Sequence, residues 1–229
     1  MTIAGNIAEI RNRVEAATKR AGRDPRSVAL MAVCKTQPAD AIREAYAAGQ
    51  RLFGENRAQE FASKAVTLGD LADARFHMIG HLQSNKAKLA AELFSAVDSV
   101  DSRKLAGRLN ASAEALGKTL DILIEINVGG EEAKSGLAAD SPEVREILEH
   151  ASEWKNLRVR GLMTVPPYTE DREGARPYFR RVQELRDSLA KDGFALEELS
   201  MGMSHDFEVA IEEGSTCVRV GTAIFGERH

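Results

Sequence analysis

The feature that most constrains this chain is a regular alternation of short apolar segments with segments of helical periodicity. The first apolar segment, residues 28–34, is continuous and bounded by turn signals, which is typical of a strand buried on both faces of a sheet. The eight predicted strands cover residues 28–34, 51–53, 76–79, 94–97, 121–128, 159–164, 198–201 and 217–220.

Segments with helical character separate these strands. Before the first strand, apolar residues from Ile3 to Ala17 recur at intervals of three and four residues, which predicts a leading amphipathic helix. Two more helices are predicted after the capping residues Ser102 and Ser141. The remaining predicted helices cover residues 38–48, 57–68, 86–92, 174–191 and 205–213.

Eight strands that alternate with helices imply a parallel sheet, and 229 residues are enough to close it into a barrel. The alternative, an open doubly wound sheet, usually has a glycine-rich turn after its first strand, whereas residues 35–38 contain no glycine. We therefore predict the α/β class and a single (β/α)8 TIM barrel with an extra N-terminal helix. This barrel is expected to span residues 1–229 as one domain.

Composition excludes several classes of protein. The 31 basic and 35 acidic side chains give a net charge of −4, which argues against a protein that coats nucleic acid. Two cysteines exclude a disulfide framework and indicate reduced thiols. Because no apolar run approaches the roughly 20 residues of a membrane span, and charged residues interrupt the first 14, we expect a cytoplasmic protein without a membrane partner.

Lys35 follows the first predicted strand, and active sites of (β/α)8 barrels lie at that end of the strands. Burial of an ammonium group is costly, so a partly buried lysine shifts toward the neutral amine, which can form a Schiff base with an aldehyde. The alternative is a lysine that extends into solvent. Because neighbouring strand residues face opposite sides, Cys34 should then face the helices and serve in packing.

The last two predicted strands lead into loops suited to an anion. The seventh strand continues as Ser200 to Ser204 ahead of a short helix, and the eighth continues as Arg219 to Thr222. Loops at these positions often bind phosphate in (β/α)8 barrels. An amine and a phosphate site in one barrel mouth predict a phosphorylated aldehyde ligand, either pyridoxal 5′-phosphate or a sugar phosphate.

Six blocks of sequence resemble a known family. They are AVCKT, FGEN, HMIGHLQSNK, GLMT, LSMGMS and RVGTAIFG, which begin at residues 32, 53, 77, 161, 199 and 219. Together they resemble the pyridoxal phosphate homeostasis protein family, also called the YggS/PROSC family, over essentially the whole chain. The resemblance implies an alanine-racemase-like N-terminal barrel without the second, β-rich domain of the racemase.

The resemblance also implies a pyridoxal 5′-phosphate site. Lys35 would hold the cofactor as a Schiff base, Arg219 would lie beside the pyridine nitrogen, and Asn56 would lie near the ring. The phosphate would be surrounded by Ser200, Ser204, Gly221 and Thr222. A guanidinium only donates hydrogen bonds, so Arg219 would disfavour protonation of that nitrogen and weaken the cofactor as an electron sink. The implied cofactor-binding residues are Lys35, Asn56, Ser200, Ser204, Arg219, Gly221 and Thr222.

Three functions remain open from sequence. The first is a carrier that holds pyridoxal 5′-phosphate for intracellular homeostasis without turnover, as a monomer, with apo-enzymes that require the cofactor as candidate recipients. The second is an amino-acid racemase, for which Tyr168 is the one tyrosine predicted in a loop at the mouth. The third is a Schiff-base aldolase. We expect no metal site, because the block of residues 77–86 that contains His77 and His81 has no carboxylate or cysteine side chain.

Overall fold

The computed structural model describes residues 2–131 and 135–226, and in this part of the chain eight parallel strands close into a barrel. The ninth strand, β6, is a two-residue segment that pairs with the end of β5. The strands are β1 (Ala29–Val33), β2 (Leu52–Glu55), β3 (Arg75–Met78), β4 (Ala96–Val100), β5 (Leu120–Asn127), β6 (Leu137–Ala138), β7 (Leu157–Met163), β8 (Glu198–Ser200) and β9 (Cys217–Val220).

The barrel closes where its first and last strands pair. Ala29 lies opposite Cys217, Ala32 lies opposite Val220, and β4 pairs with β5 on the other side of the ring. Each of these pairings is parallel, so the carboxyl ends of the eight barrel strands lie at one end. The predicted (β/α)8 barrel is confirmed.

Helices surround the barrel, and α1 precedes its first strand as predicted. Ser102 and Ser141 cap their helices as expected, because each hydroxyl oxygen accepts a hydrogen bond from a backbone N–H of the first turn. The helices are α1 (Ile3–Arg20), α2 (Ala39–Ala47), α3 (Ala58–Ala65), α4 (Ala87–Leu93), α5 (Arg103–Ala115), α6 (Pro142–His150), α7 (Arg176–Lys191), α8 (Phe207–Glu212) and α9 (Thr222–Phe225).

Two local predictions were wrong. The sequence predicts the fourth strand at 94–97, but it covers Ala96–Val100, because Phe94 caps the end of α4 and packs against Phe61 in the helix layer. The helix predicted over 57–68 is α3 followed by a 3-10 turn, Val66–Leu68. The sequence analysis also missed β6 and α9, which are too short to show a hydrophobic period.

Alternating strand residues divide the core between the outside and the inside of the barrel. Ala32, Val218 and Val220 face outward into the large apolar layer under the helices, whereas Met31 and Cys217 belong to a small apolar cluster inside. Above that cluster the interior becomes polar, and this is the end of the barrel where the candidate site lies. No helix in the described ranges is long and apolar enough to cross a bilayer.

Candidate functional site at the barrel mouth

A cavity of about 360 Å³ opens at the carboxyl ends of the strands. Residues from the turns after β1, β2, β8 and β9 line it, together with Val165 from the loop after β7. Ser200 is the one predicted binding residue that does not line it. The predicted residues that do line it are Lys35, Asn56, Ser204, Arg219, Gly221 and Thr222.

Lys35 lies in a turn that begins directly after β1. Val33 and Lys35 both line the cavity, while the intervening Cys34 is fully buried in the core layer under the helices, as strand alternation predicts. Burial raises the pKa of the Cys34 thiol well above its usual value, which makes this cysteine a poor nucleophile. Of these three residues, Lys35 is therefore the one that brings a primary amine to the cavity lining.

Helix α3 holds the turn that carries Lys35 in place. Thr36 has a φ of 64°, a left-handed conformation that is unfavourable for a β-branched residue. Its backbone N–H donates to Oε1 of Glu60 at 2.8 Å. Nζ of Lys64 donates to the carbonyl oxygens of Cys34 at 3.4 Å and Gln37 at 3.1 Å. These contacts on both sides of Lys35 stabilise the strained turn.

A buried ion pair anchors Lys64. Its Nζ lies 2.6 Å from Oε1 of Glu55, whose side chain is fully buried on the outer face of β2. Burial raises the pKa of Glu55, while the lysine opposes that shift, and Oε2 of Glu55 has no hydrogen-bond partner among the described residues. The sequence analysis missed this pair, although an acidic residue within the FGEN block was a signal that could have revealed it.

Arg219 extends from β9 into the top of the barrel and is almost fully buried. Nη1 donates to the backbone carbonyl of Ser200 at 2.6 Å and to its hydroxyl at 2.8 Å, and Nη2 donates to the carbonyl of Thr164 at 2.7 Å. Burial lowers the pKa of Arg219, but a guanidinium still carries its charge at neutral pH. No carboxylate within 2–131 or 135–226 forms an ion pair with it, so the cavity wall presents a fixed positive charge.

These contacts give Ser200 a place different from the one expected. Its side chain lies below the cavity, inside the barrel, and its hydroxyl accepts a hydrogen bond from Arg219. Ser200 therefore orients Arg219, and a direct contact with a ligand in the cavity stays a prediction without geometric support. The reason is its register, because Ser200 ends β8 on the interior face, four residues before the rim residue Ser204.

The rim after β8 and β9 offers small residues and hydroxyl groups. Ser204 lies in the turn before α8, while Gly221 and Thr222 lie at the start of α9. A Cβ on Gly221 would come within 3.2 Å of the Val33 carbonyl oxygen, so this position packs closely against the end of β1. Two hydroxyl donors and a side-chain-free position on one rim form a surface that suits the oxygens of a small anion.

Asn56 reaches the cavity from the turn after β2. The backbone of Gly80 passes so close that a Cβ there would lie 2.4 Å from the Asn56 carbonyl oxygen. Only glycine allows the β2 and β3 turns to approach in this way. Gly80 in the HMIGHLQSNK block thus fixes the backbone that presents Asn56 to the cavity.

Other candidate side chains lie elsewhere. His77 bonds through Nδ1 to Asp98 at 3.1 Å in a separate cavity at the amino end of the barrel. Tyr168 is 79% exposed, its ring lies 5.7 Å from that of His205 at a tilt, and it does not line the cavity beside Lys35. Within the described residues, no group of three or more His, Cys, Asp or Glu side chains is placed to bind a metal ion.

Comparisons with known proteins agree with this geometry. Residues 5–229 match the family described as "Alanine racemase, N-terminal domain". Over its full length the chain is 45% identical to the pyridoxal phosphate homeostasis protein of Aquifex aeolicus (strain VF5), of which it covers 99%. The corresponding Pseudomonas aeruginosa protein is 46% identical over 99% of this chain and 96% of the relative. This chain belongs to the pyridoxal phosphate homeostasis protein family.

A solved structure supports the same family assignment. PipY of Synechococcus elongatus PCC7942, determined with PLP bound, superposes with a TM-score of 0.86 at 39% identity. The match covers 98% of this chain and 100% of PipY. The resemblance found in the six sequence blocks is therefore confirmed at the level of family and fold.

Proposed function

We propose that this protein binds pyridoxal 5′-phosphate through a Schiff base on Lys35 and takes part in intracellular vitamin B6 homeostasis without catalytic turnover. The observation that carries the proposal is one cavity lined by an amine, a guanidinium and a hydroxyl-bearing rim. The names of the relatives and the PLP-bound PipY structure support the same ligand.

The residues of the cavity fit this cofactor. Its volume of about 360 Å³ is within the range of small-molecule sites, roughly 300–1,000 Å³. The cofactor supplies an aldehyde that condenses with a primary amine. Lys35 would supply that amine, Ser204, Gly221 and Thr222 would bind the phosphate, and Asn56 would contact the ring.

A carrier role follows from the charge at Arg219. Its guanidinium can donate to the pyridine nitrogen but cannot accept a proton from it, so the nitrogen would remain unprotonated. An unprotonated ring withdraws electrons weakly, which slows the carbanion chemistry that racemases require. Tyr168, the candidate second base for racemization, lies outside the cavity lining and is 79% exposed.

The first test is the visible absorption of purified protein after addition of pyridoxal 5′-phosphate. We expect a yellow protein whose absorption band disappears on borohydride treatment, with the reduced cofactor found by peptide mapping on Lys35. A wild-type protein that stays colourless with added cofactor would rule out the proposal. Trapping that requires a sugar phosphate instead would support the aldolase.

The second test addresses turnover. The loaded protein is incubated with alanine in deuterated water, and exchange at the α-carbon is followed by NMR. Because Arg219 weakens the electron sink, we expect a rate no higher than that of free pyridoxal 5′-phosphate at the same concentration. Sustained exchange that Tyr168→Phe abolishes would instead establish the racemase alternative.

The remaining parts of the proposal concern domain organisation, oligomeric state, location and partners. We propose that residues 1–229 form a single domain that acts as a cytoplasmic monomer. Apo-enzymes that require pyridoxal 5′-phosphate are the proposed recipients. The alternative function, a low-activity racemase, would use the same cavity. The measurement of exchange at the α-carbon distinguishes it from the carrier.

A further inference from the structure

A second cavity adjoins the first at the barrel mouth. It has a volume of about 560 Å³, and three residues, Asn56, Ile79 and Val165, line both cavities. The second cavity extends toward β3 and β5, where Glu125 and His81 complete its wall. A ligand in it would therefore lie directly beside whatever occupies the Lys35 cavity.

Glu125 is the distinctive group of this second cavity. It belongs to β5, its side chain faces the barrel interior, and it is only 7% exposed. Oε1 accepts a hydrogen bond from the Ser135 hydroxyl at 3.0 Å, whereas Oε2 has no partner among the described residues. A buried carboxyl oxygen without a hydrogen bond is unfavourable. Oε2 of Glu55 also lacks a partner among the described residues, but Oε1 of Glu55 pairs with Lys64, whereas Glu125 has no such cation in this part of the chain.

Among the described residues, no lysine or arginine side chain forms an ion pair with Glu125. The guanidinium of Arg219 is engaged with Ser200 and Thr164. Nδ1 of His81, which also lines this cavity, lies 3.1 Å from Oδ2 of Asp101. Burial raises the pKa of Glu125, and the hydrogen bond from Ser135 and the charge of Arg219 oppose this shift without cancelling it.

We propose that the Glu125 cavity is a binding subsite for the ammonium group of a small amine. This inference rests on the proposed function for its biological meaning, since amines are the compounds that react with the aldehyde of the cofactor. A cation that donates a hydrogen bond to Glu125 satisfies both the charge and the unpartnered oxygen. The small exposed fraction of Glu125 favours a free small molecule over a side chain of another protein.

Trimethylammonium is a suitable probe, because a protonated tertiary amine carries one N–H and cannot condense with an aldehyde. The experiment uses protein with ¹³C-labelled glutamate carboxyl groups, with and without pyridoxal 5′-phosphate. The Glu125 resonance is assigned as the one that Glu125→Gln removes. We expect a saturable shift of this resonance with trimethylammonium and none with tert-butanol, which has a similar shape but no charge.

Affinity is then compared among variants by calorimetry with the same probe. A charge-assisted hydrogen bond is lost in Glu125→Gln, so we expect binding to weaken by at least about tenfold. Asp121→Asn removes the same charge from the opposite end of β5, where Asp121 pairs with Arg158, and should bind as the wild type does. Equal affinity in wild type and Glu125→Gln would overturn the proposal.

The titration also separates this proposal from the carrier function. If the Glu125 resonance responds to trimethylammonium but the protein does not take up pyridoxal 5′-phosphate, the subsite is supported and the carrier function is overturned. If the protein turns yellow with the cofactor but its Glu125 resonance does not respond, the carrier function is supported and the subsite is overturned. If Glu125→Gln does not fold, Glu125→Asp provides the same assignment, because it also removes the labelled glutamate resonance while it keeps the negative charge.

Discussion

Lys35→Ala is expected to abolish covalent attachment of pyridoxal 5′-phosphate while leaving the phosphate side of the cavity intact. The variant should lack the visible absorption band, and borohydride should fix no cofactor to the chain. Overall affinity, measured by equilibrium dialysis, should fall by at least about tenfold, equivalent to about 1.4 kcal/mol. The fold should persist, because Lys35 is only partly buried and lies in a turn after β1.

The same variant allows the phosphate contacts to be measured separately. Lys35→Ala should still bind pyridoxal 5′-phosphate more tightly than pyridoxal, because Ser204, Gly221 and Thr222 remain. Adding Thr222→Val, which replaces the hydroxyl with a methyl group of similar size, should reduce that preference by about tenfold. Lys19→Ala removes an exposed lysine of α1 and should behave as wild type. A Lys35→Ala protein that remains yellow would show that another lysine carries the cofactor.

The barrel could be predicted because its evidence is repeated along the sequence. Each strand is a short apolar run between turn signals, and eight such runs leave few alternatives once the first turn lacks glycines. The position of Lys35 followed from the same rule, since it comes directly after a strand whose carboxyl end faces the mouth. Cys34 could be assigned to the helix layer from alternation alone, and its complete burial confirms that assignment.

Contacts between distant segments could not be predicted in the same way. The family resemblance implied Ser200 near the phosphate, which stays a prediction, whereas its hydrogen bond with Arg219 was not foreseen. Glu125 was taken as part of an apolar strand, and nothing local reveals that its carboxyl lacks a partner. The side-chain partners of Ser200 and Glu125 depend on which strands become neighbours and in which register. A single sequence does not specify that register for each residue.

The support under Lys35 illustrates how strain at a functional turn is compensated elsewhere in the fold. Thr36 alone would favour another backbone conformation, and the turn persists because Glu60 and Lys64, one helical turn apart on α3, hold it. Lys64 in turn depends on Glu55 of β2. The position of Lys35 thus depends on a buried charge pair between β2 and α3.

Lys64→Met is expected to destabilise the protein strongly. The substitution leaves Glu55 fully buried without its cation and removes the donor to the carbonyl oxygens of Cys34 and Gln37. Removing one partner of a buried ion pair costs about 3–5 kcal/mol of unfolding free energy. Urea denaturation should show this loss, and the melting temperature should fall on the order of 10 °C.

Two comparisons distinguish this effect from the general loss of a lysine. Lys88→Met removes a lysine of α4 whose side chain is 82% exposed, and it should change stability by less than about 0.5 kcal/mol. Adding Glu55→Gln to Lys64→Met should restore part of the loss, because no unpaired buried charge then remains. The double variant should still bind pyridoxal 5′-phosphate more weakly than wild type, since the turn around Lys35 lacks its donor. If Lys64→Met unfolds at the wild-type urea concentration and binds the cofactor normally, α3 does not position Lys35.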